Sequence, residues 1–286
     1  MVVNGSGGRA AREGAALNQE LVEAFAAQGH NGAPQVVEGQ QLRETITAHR
    51  GAETIAVGGG DGTQGSAAAL LMASGQTMAV LPLGTLNHLS VDLGIPADLG
   101  EAAQIALHGQ TKAIDLASVN DQVFVNNASV GLYTKLVRAR DAQALPKWLA
   151  TIPAAWTVLR GFKVRRLRLE IGGEQRTIET PLLFIGNNPY NITGERRGQR
   201  DRLDSGELAL YAVAHKHPLA LIGFALRALT GRGDPARDFT YLSECAAFTI
   251  LGSGPIDVAH DGEVTEMMLP LRFRILPGAL KVKVPG

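Results

Sequence analysis

The chain has 286 residues, enough to bury a substantial core as one large domain or two modest ones. Hydrophobic residues make up 45% and charged residues 19%, ordinary for a soluble globular protein, and no apolar run approaches the ~20 residues that cross a bilayer. Formal net charge is zero, so no overall field drives nucleic-acid binding and no nucleic-acid partner is expected, although the N-terminal part leans acidic and the remainder basic. Cys245 is the single cysteine, which excludes an internal disulfide framework and a zinc site built on several thiolates. The start, Met1-Val2-Val3-Asn4, lacks the basic and apolar stretches of a secretory signal, so a cytoplasmic location is expected.

In chain order, Val2-Val3 reads as the end of a first strand, followed by the turn Asn4-Gly5-Ser6-Gly7-Gly8. Leu17, Leu21 and Phe25 recur every four residues on one helical face, with Gly29 as a stop. Thr54 to Val57 reads as a buried strand, then comes the glycine-rich stretch 58–63 and an alanine-rich helix ending near Gly75. Thr77 to Leu81 gives another strand, Pro82-Leu83-Gly84-Thr85 a second turn, and Asn87 to Leu93 a short helix. This alternation predicts an α/β domain with a mainly parallel sheet over residues 1–118.

Residues 119–286 predict a β-rich, antiparallel C-terminal domain. Leu167, Leu169 and Ile171 alternate with Arg166, Arg168 and Glu170, and Gly172-Gly173 marks a hairpin turn. Further strands are expected at 182–186, 208–213, 247–251, 256–259, 271–276 and 280–284. A cleft between the two domains is the expected place for chemistry.

The strongest chemical signal is Gly59-Gly60-Asp61-Gly62-Thr63, after a strand and before a helix. Glycines let backbone N–H groups approach phosphate oxygens, the helix N-terminus adds a favourable dipole, and a carboxylate there can hold Mg²⁺. Pro82-Leu83-Gly84-Thr85-Leu86-Asn87 sits at the end of the next strand, where Thr85 and Asn87 offer polar groups to a ligand and Asn87 can equally cap the following helix. Asp261-Gly262-Glu263 lies on a turn after a strand, either a general base with its partner or a solvated hairpin tip.

This ordered set, with Phe124-Val125-Asn126, Ser129-x-Gly131 and Gly186-Asn187-Asn188, resembles the diacylglycerol kinase catalytic-domain family, which includes bacterial lipid kinases and sphingosine kinases. The resemblance implies a two-domain NAD kinase/diacylglycerol kinase-like fold and transfer of the ATP γ-phosphoryl group to the hydroxyl of diacylglycerol or a related membrane lipid. It further implies ATP binding by Asn4, Gly5, Ser6, Gly7, Gly8, Gly59, Gly60, Asp61, Gly62, Thr63, Gln64, Gly65, Gly84, Thr85 and Asn87. Asp61 is then the organiser of phosphate and catalytic Mg²⁺, Glu263 the proton acceptor and Asp261 its support. Asp204 is the candidate for a structural Mg²⁺, with Ser205 standing where relatives carry an aspartate. His88 stands where many members carry aspartate, either a substrate contact or a plain surface histidine. The alternatives are an NAD kinase-like phosphotransferase and a catalytically silent nucleotide-binding regulatory protein.

A lipid kinase acts transiently at the inner face of the membrane, and an anionic surface is the expected partner. Lys135, Arg138, Arg140, Lys147, Arg160, Lys163, Arg165 and Arg166, interleaved with Trp148, Trp156 and Phe162, suit such an interface. Arg196, Arg197, Arg200 and Arg202 form a second basic cluster that either holds a phosphate or headgroup or is an exposed loop. The apolar helix expected from His217 to Leu229 reads as core.

Overall fold

A computed structural model describes residues 1–131, 164–191, 196, 198–213 and 238–286. The first part alternates strands and helices: β1 (Val2–Asn4), α1 (Gly8–Glu13), α2 (Ala15–Ala27), β2 (Gln35–Val37), α3 (Leu42–Ala48), β3 (Thr54–Gly59), α4 (Asp61–Ser74), β4 (Thr77–Pro82), α5 (His88–Asp92) and α6 (Leu99–His108). Every residue of β4, and all but the first of β3, is buried, as central parallel strands require. α2 turns Leu17, Leu21 and Phe25 inward, as their spacing predicts. α4 ends on Gly75 in the left-handed region, which supplies its C-cap.

Among the described residues the elements that follow are strands: β5 (Gln110–Val119), β6 (Gln122–Phe124), β7 (Asn127–Gly131), β8 (Arg165–Ile171), β9 (Glu174–Thr180), β10 (Leu182–Asn187), β11 (Leu208–Val213), β12 (Phe239–Cys245), β13 (Ala247–Leu251), β14 (Pro255–His260), β15 (Glu263–Met268) and β16 (Leu271–Val284). Among the described residues one sheet runs β2-β1-β3-β4-β16-β13-β8-β9, with β5 beside β16 and β6 beside β5. Its β2-β1-β3-β4 portion is parallel, and β16 continues it in parallel against β4. The other sheet, β12-β11-β10-β7-β14-β15, is antiparallel throughout. The fold is thus an α/β N-terminal part with a mainly parallel sheet and an antiparallel C-terminal part.

The hairpin at Gly172-Gly173 forms as expected, with both residues at positive φ, the geometry that matches the twist of its strands. The segments 271–276 and 280–284, expected as two strands, are one strand, β16, with a register irregularity between Leu276 and Leu280. Pro277 has no N–H to donate there, and the Gly278 N–H donates instead to Asp115 Oδ1 at 2.8 Å. A buried side chain therefore carries the ladder across the break.

Among the described residues two apolar clusters form the interior, and they meet along β5 and β16. Ile114, Leu116, Leu280 and Val282 belong to the cluster under the parallel sheet, whereas Ala117, Val119, Leu271 and Phe273 belong to the other. Phe273 stacks on Phe248 with ring centroids 4.7 Å apart. Because Leu280 is wholly buried against the N-terminal core, Leu280→Ala should lower stability by about 2–5 kcal/mol in urea unfolding.

Candidate active site

Three turns meet at the C-terminal edge of the parallel strands, where open α/β sheets bind ligands. β1 leads into Asn4–Gly8, β3 into Gly60, and β4 into the loop that ends at Asn87. Asn4 Oδ1 accepts from the Ser6 N–H at 3.0 Å, and Asn4 Nδ2 donates to Thr63 Oγ1 at 2.9 Å, stitching the first turn to α4. The Arg9 N–H donates to the Leu83 carbonyl at 2.8 Å, joining the first turn to the third. A Cβ on Gly84 would lie 2.5 Å from Gly60 Cα, so only glycine lets the second and third turns touch backbone to backbone.

Between them lies an open cavity of about 310 Å³. Of the residues predicted to bind nucleotide, Asn4, Gly7, Gly8, Gly59, Gly60, Gly62, Thr63, Gly84 and Thr85 line it, and Glu263 reaches it from the second sheet. α4 begins at its edge, bringing N–H groups without intrahelical acceptors and the positive end of the helix dipole. A wall of backbone donors and small hydroxyls suits a string of phosphate oxygens.

The remaining predicted residues do other work. Gly5 donates its N–H to Val37 O at 2.8 Å, and Ser6 is exposed on the same turn. Gln64 is buried, and its amide donates to Val57 O at 3.0 Å, latching α4 onto β3. Asn87 neither caps α5 with its side chain nor lines the cavity. It takes a left-handed conformation, φ 53°, and spends its amide on its own loop, accepting from the Gly84 N–H at 2.8 Å and donating to Gly84 O at 3.1 Å.

Asp261 and Gly262 form the tight turn between β14 and β15, with His260 opposite Glu263. Both turn residues have positive φ, so the Asp261 side chain points inward while Glu263 stays exposed at the cavity. Asp261 is no solvated tip: its carboxylate accepts from the N–H groups of Val125 at 2.7 Å, Asn126 at 2.8 Å and Asn127 at 3.3 Å. Burial pushes its pKa up to about 6, a rise that these donors and Arg200 only partly oppose. Gly65 makes room for it, since a Cβ there would lie 2.6 Å from Asp261 Oδ2.

Asp61 opens α4, and its Oδ1 accepts from the His88 N–H at 2.9 Å and from Asn126 Nδ2 at 3.5 Å. The His88 side chain itself is exposed. No group of three or more His, Cys, Asp or Glu side chains that could hold a metal occurs among the described residues. The Asp61 carboxylate is a hard oxygen donor of the kind that, with phosphate and water oxygens, suits Mg²⁺. Asp204 is exposed and ion-paired with Lys112 at 3.2 Å and Arg202 at 3.1 Å. Its turn is held by buried Asp115, which accepts from the Gly206 N–H at 2.8 Å, and by Asn188, which accepts from the Ser205 N–H at 2.9 Å.

The second basic cluster is dispersed. Arg196 pairs with Asp201 at 3.0 Å on the surface, and Arg197 lies outside the described residues. Arg200 is only 1% exposed and inserts between α5 and the 125–126 turn. Its sequence context, four arginines in a polar stretch, gives no sign of burial. Of the predicted membrane-facing stretch, Arg165 and Arg166 are exposed on β8. Lys135, Arg138, Arg140, Lys147, Trp148, Trp156, Arg160, Phe162, Lys163 and the 217–229 helix lie outside the described residues. No helix among the described residues is long and apolar enough to cross a membrane.

Gly65→Ala should cost about 1–3 kcal/mol by overpacking against Asp261, because three backbone donors hold that carboxylate in place; urea unfolding measures it. The raised pKa of Asp261 has a signed consequence. Folded chain binds the proton more readily than unfolded chain, so this group's contribution to stability falls as pH rises from its ordinary value of 3.8 through about 6, and is flat above. The stability of the native chain relative to Asp261→Asn should therefore improve as pH falls from 7 to 5, a comparison for paired denaturation curves.

A family model described as the diacylglycerol kinase catalytic domain matches residues 1–119. The probable lipid kinase YegS-like of Pseudomonas aeruginosa strain UCBPP-PA14 is 32% identical over 289 residues, covering 94% of this chain and 91% of that protein. Its counterpart in Klebsiella pneumoniae strain 342 is 44% identical over 87 residues, 29% of each chain. Among solved structures, a putative diacylglycerol kinase from Bacillus anthracis superposes with a TM-score of 0.73 at 19% identity, covering 99% of this chain and 93% of that one. Similarity along nearly the whole chain, on a shared fold whose glycine turns converge on one cavity, places the chain in the diacylglycerol kinase catalytic-domain family of lipid kinases.

Proposed function

We propose that the chain transfers the γ-phosphoryl group of ATP to the hydroxyl of diacylglycerol or a related membrane lipid at the inner face of the membrane. One observation carries the reading: a carboxylate from the antiparallel sheet, Glu263, lines the same cavity as three glycine-rich turns of the parallel sheet. Donor phosphates and an acceptor hydroxyl would meet there. Residues 1–118 hold the donor in this reading and residues 119–286 the acceptor, with β16 returning to complete the first sheet. The exposed arginines of β8 extend the basic and aromatic stretch that would face anionic lipid.

Phosphoryl transfer passes through a loose, highly charged transition state, so positioning and charge neutralisation dominate. Backbone N–H groups of the turns and the N-terminus of α4 face the phosphate oxygens. Mg²⁺ held at Asp61 supplies further neutralisation when bound. Glu263, exposed at the cavity mouth, accepts the hydroxyl proton, and Asp261 fixes the turn that carries it. Its reach toward Gly62 is short: a Cβ there would lie 3.4 Å from Glu263 Oε1.

Transfer of labelled γ-phosphate into lipids in mixed micelles, with NAD as a soluble acceptor control, tests the reading. Glu263→Gln should lower kcat by about 10²–10⁴-fold while leaving ATP affinity within about twofold. Labelled lipid undiminished in this variant removes Glu263 from the mechanism, and label appearing only in the NAD arm overturns the lipid acceptor.

A further inference from the structure

Asp61 Oδ1 has two hydrogen-bond donors, the backbone of His88 and the side-chain amide of Asn126, and both lead to the same buried cation. His88 begins the single short turn of helix that Asp92 ends. Asp92, its side chain 4% exposed, takes two bonds from Arg200: from Nε to Oδ2 at 2.7 Å and from the backbone N–H to Oδ1 at 3.1 Å. On the other branch Arg200 donates from its second terminal nitrogen to Asn126 Oδ1 at 2.8 Å. A guanidinium can only donate, so the oxygen of the Asn126 amide must face it and the NH₂ is left to face Asp61.

We infer that Arg200 and Asn126 are positioning residues that aim the Asp61 carboxylate. The guanidinium is itself fully determined. Its remaining terminal nitrogen donates to Val125 O at 2.8 Å and Asn187 O at 3.0 Å, and the ring of Tyr190 lies 5.5 Å away, with its hydroxyl donating to Asn126 O at 3.1 Å. One planar, five-donor group thus sets both arms that hold Asp61, a task for which the point charge of lysine lacks the geometry. The inference rests on the phosphoryl-transfer reading of Asp61.

Asn126→Asp is the informative variant, because it keeps an oxygen for Arg200 and the shape of the side chain but turns an acceptor instead of a donor toward Asp61. It should lower kcat by about 10²-fold with KM for ATP changed by less than about twofold. Its thermal midpoint should stay near that of the native chain, and its crystal structure should show the Asp61 carboxylate turned from its bonds. Asp92→Asn, which adds no charge beside Asp61 but loosens the α5 arm and Arg200 with it, should lower kcat by about tenfold with KM for ATP held, alongside a lower thermal midpoint from the broken buried ion pair. A purely structural role predicts the reverse, lost stability with kcat preserved. Wild-type kcat in both folded variants overturns the inference, as does an unmoved Asp61 in the Asn126→Asp crystal. If the native chain transfers no phosphate to any lipid, it is the kinase reading that fails, and the position of Asp61 in that crystal still decides this one.

Discussion

The two sheets are fastened at the cavity by a buried carboxylate that accepts backbone hydrogen bonds. Asp261 enters from the tip of the β14–β15 hairpin and takes the N–H groups of Val125, Asn126 and Asn127 just where the chain passes from β6 into β7. Val125 and Asn126 lie between the two strands, and leaving their N–H groups unmet in the interior would cost free energy, so the carboxylate is anchored by need on both sides. The missing side chain of Gly65 lets the hairpin come close to α4. Glu263, two residues on and paired with His260 in the ladder, is carried into place by the turn that this contact holds.

The same solution recurs around the site. Asp115 accepts from the Gly206 and Gly278 N–H groups, so that it serves both the 203–206 turn and the irregularity in β16. Asn187 donates to the carbonyls of Asp115 and Val125, and Asn188 receives the Ser205 hydroxyl and N–H. Arg200 ties α5 to the 125–126 turn and to the end of β10. Buried charges of this kind add little net stability over apolar packing, yet each demands its partners in one arrangement, which is the property a catalytic geometry needs.

Much of the fold is legible because its signals are local. Leu17, Leu21 and Phe25 mark a helix by spacing alone, and Gly172-Gly173 marks its hairpin by the positive φ that the turn imposes. The glycine turns are equally visible, since close approach of backbone to backbone leaves glycine as the residue that fits. What could not be read is set by partners far along the chain. Gln64 and Gly65 sit inside a glycine-rich motif yet face the core, because α4 must present one face to β3 and Asp261 while another borders the cavity. Asn87 carries a capping residue type but closes its own loop, and Arg200 hides among surface arginines because its acceptors, on α5 and near residues 125–126, are remote in sequence. Asp204 meets Arg202 and also Lys112, which no spacing rule couples to it.

β16 separates β4 from β13 and pairs with β5 along most of its length, although β4 and β5 are made long before it. During synthesis, then, the parallel sheet emerges with its β4 flank open, presenting unpaired backbone groups until residues 271–284 have left the ribosome. The start of β4 gains its outer neighbour only when β16 slots in beside Thr77 and Met78, so the sheet begun by the first strands is completed by a strand made some two hundred residues later. Such late closure favours slow folding through non-local pairing and leaves a transient strand edge for chaperones to shield.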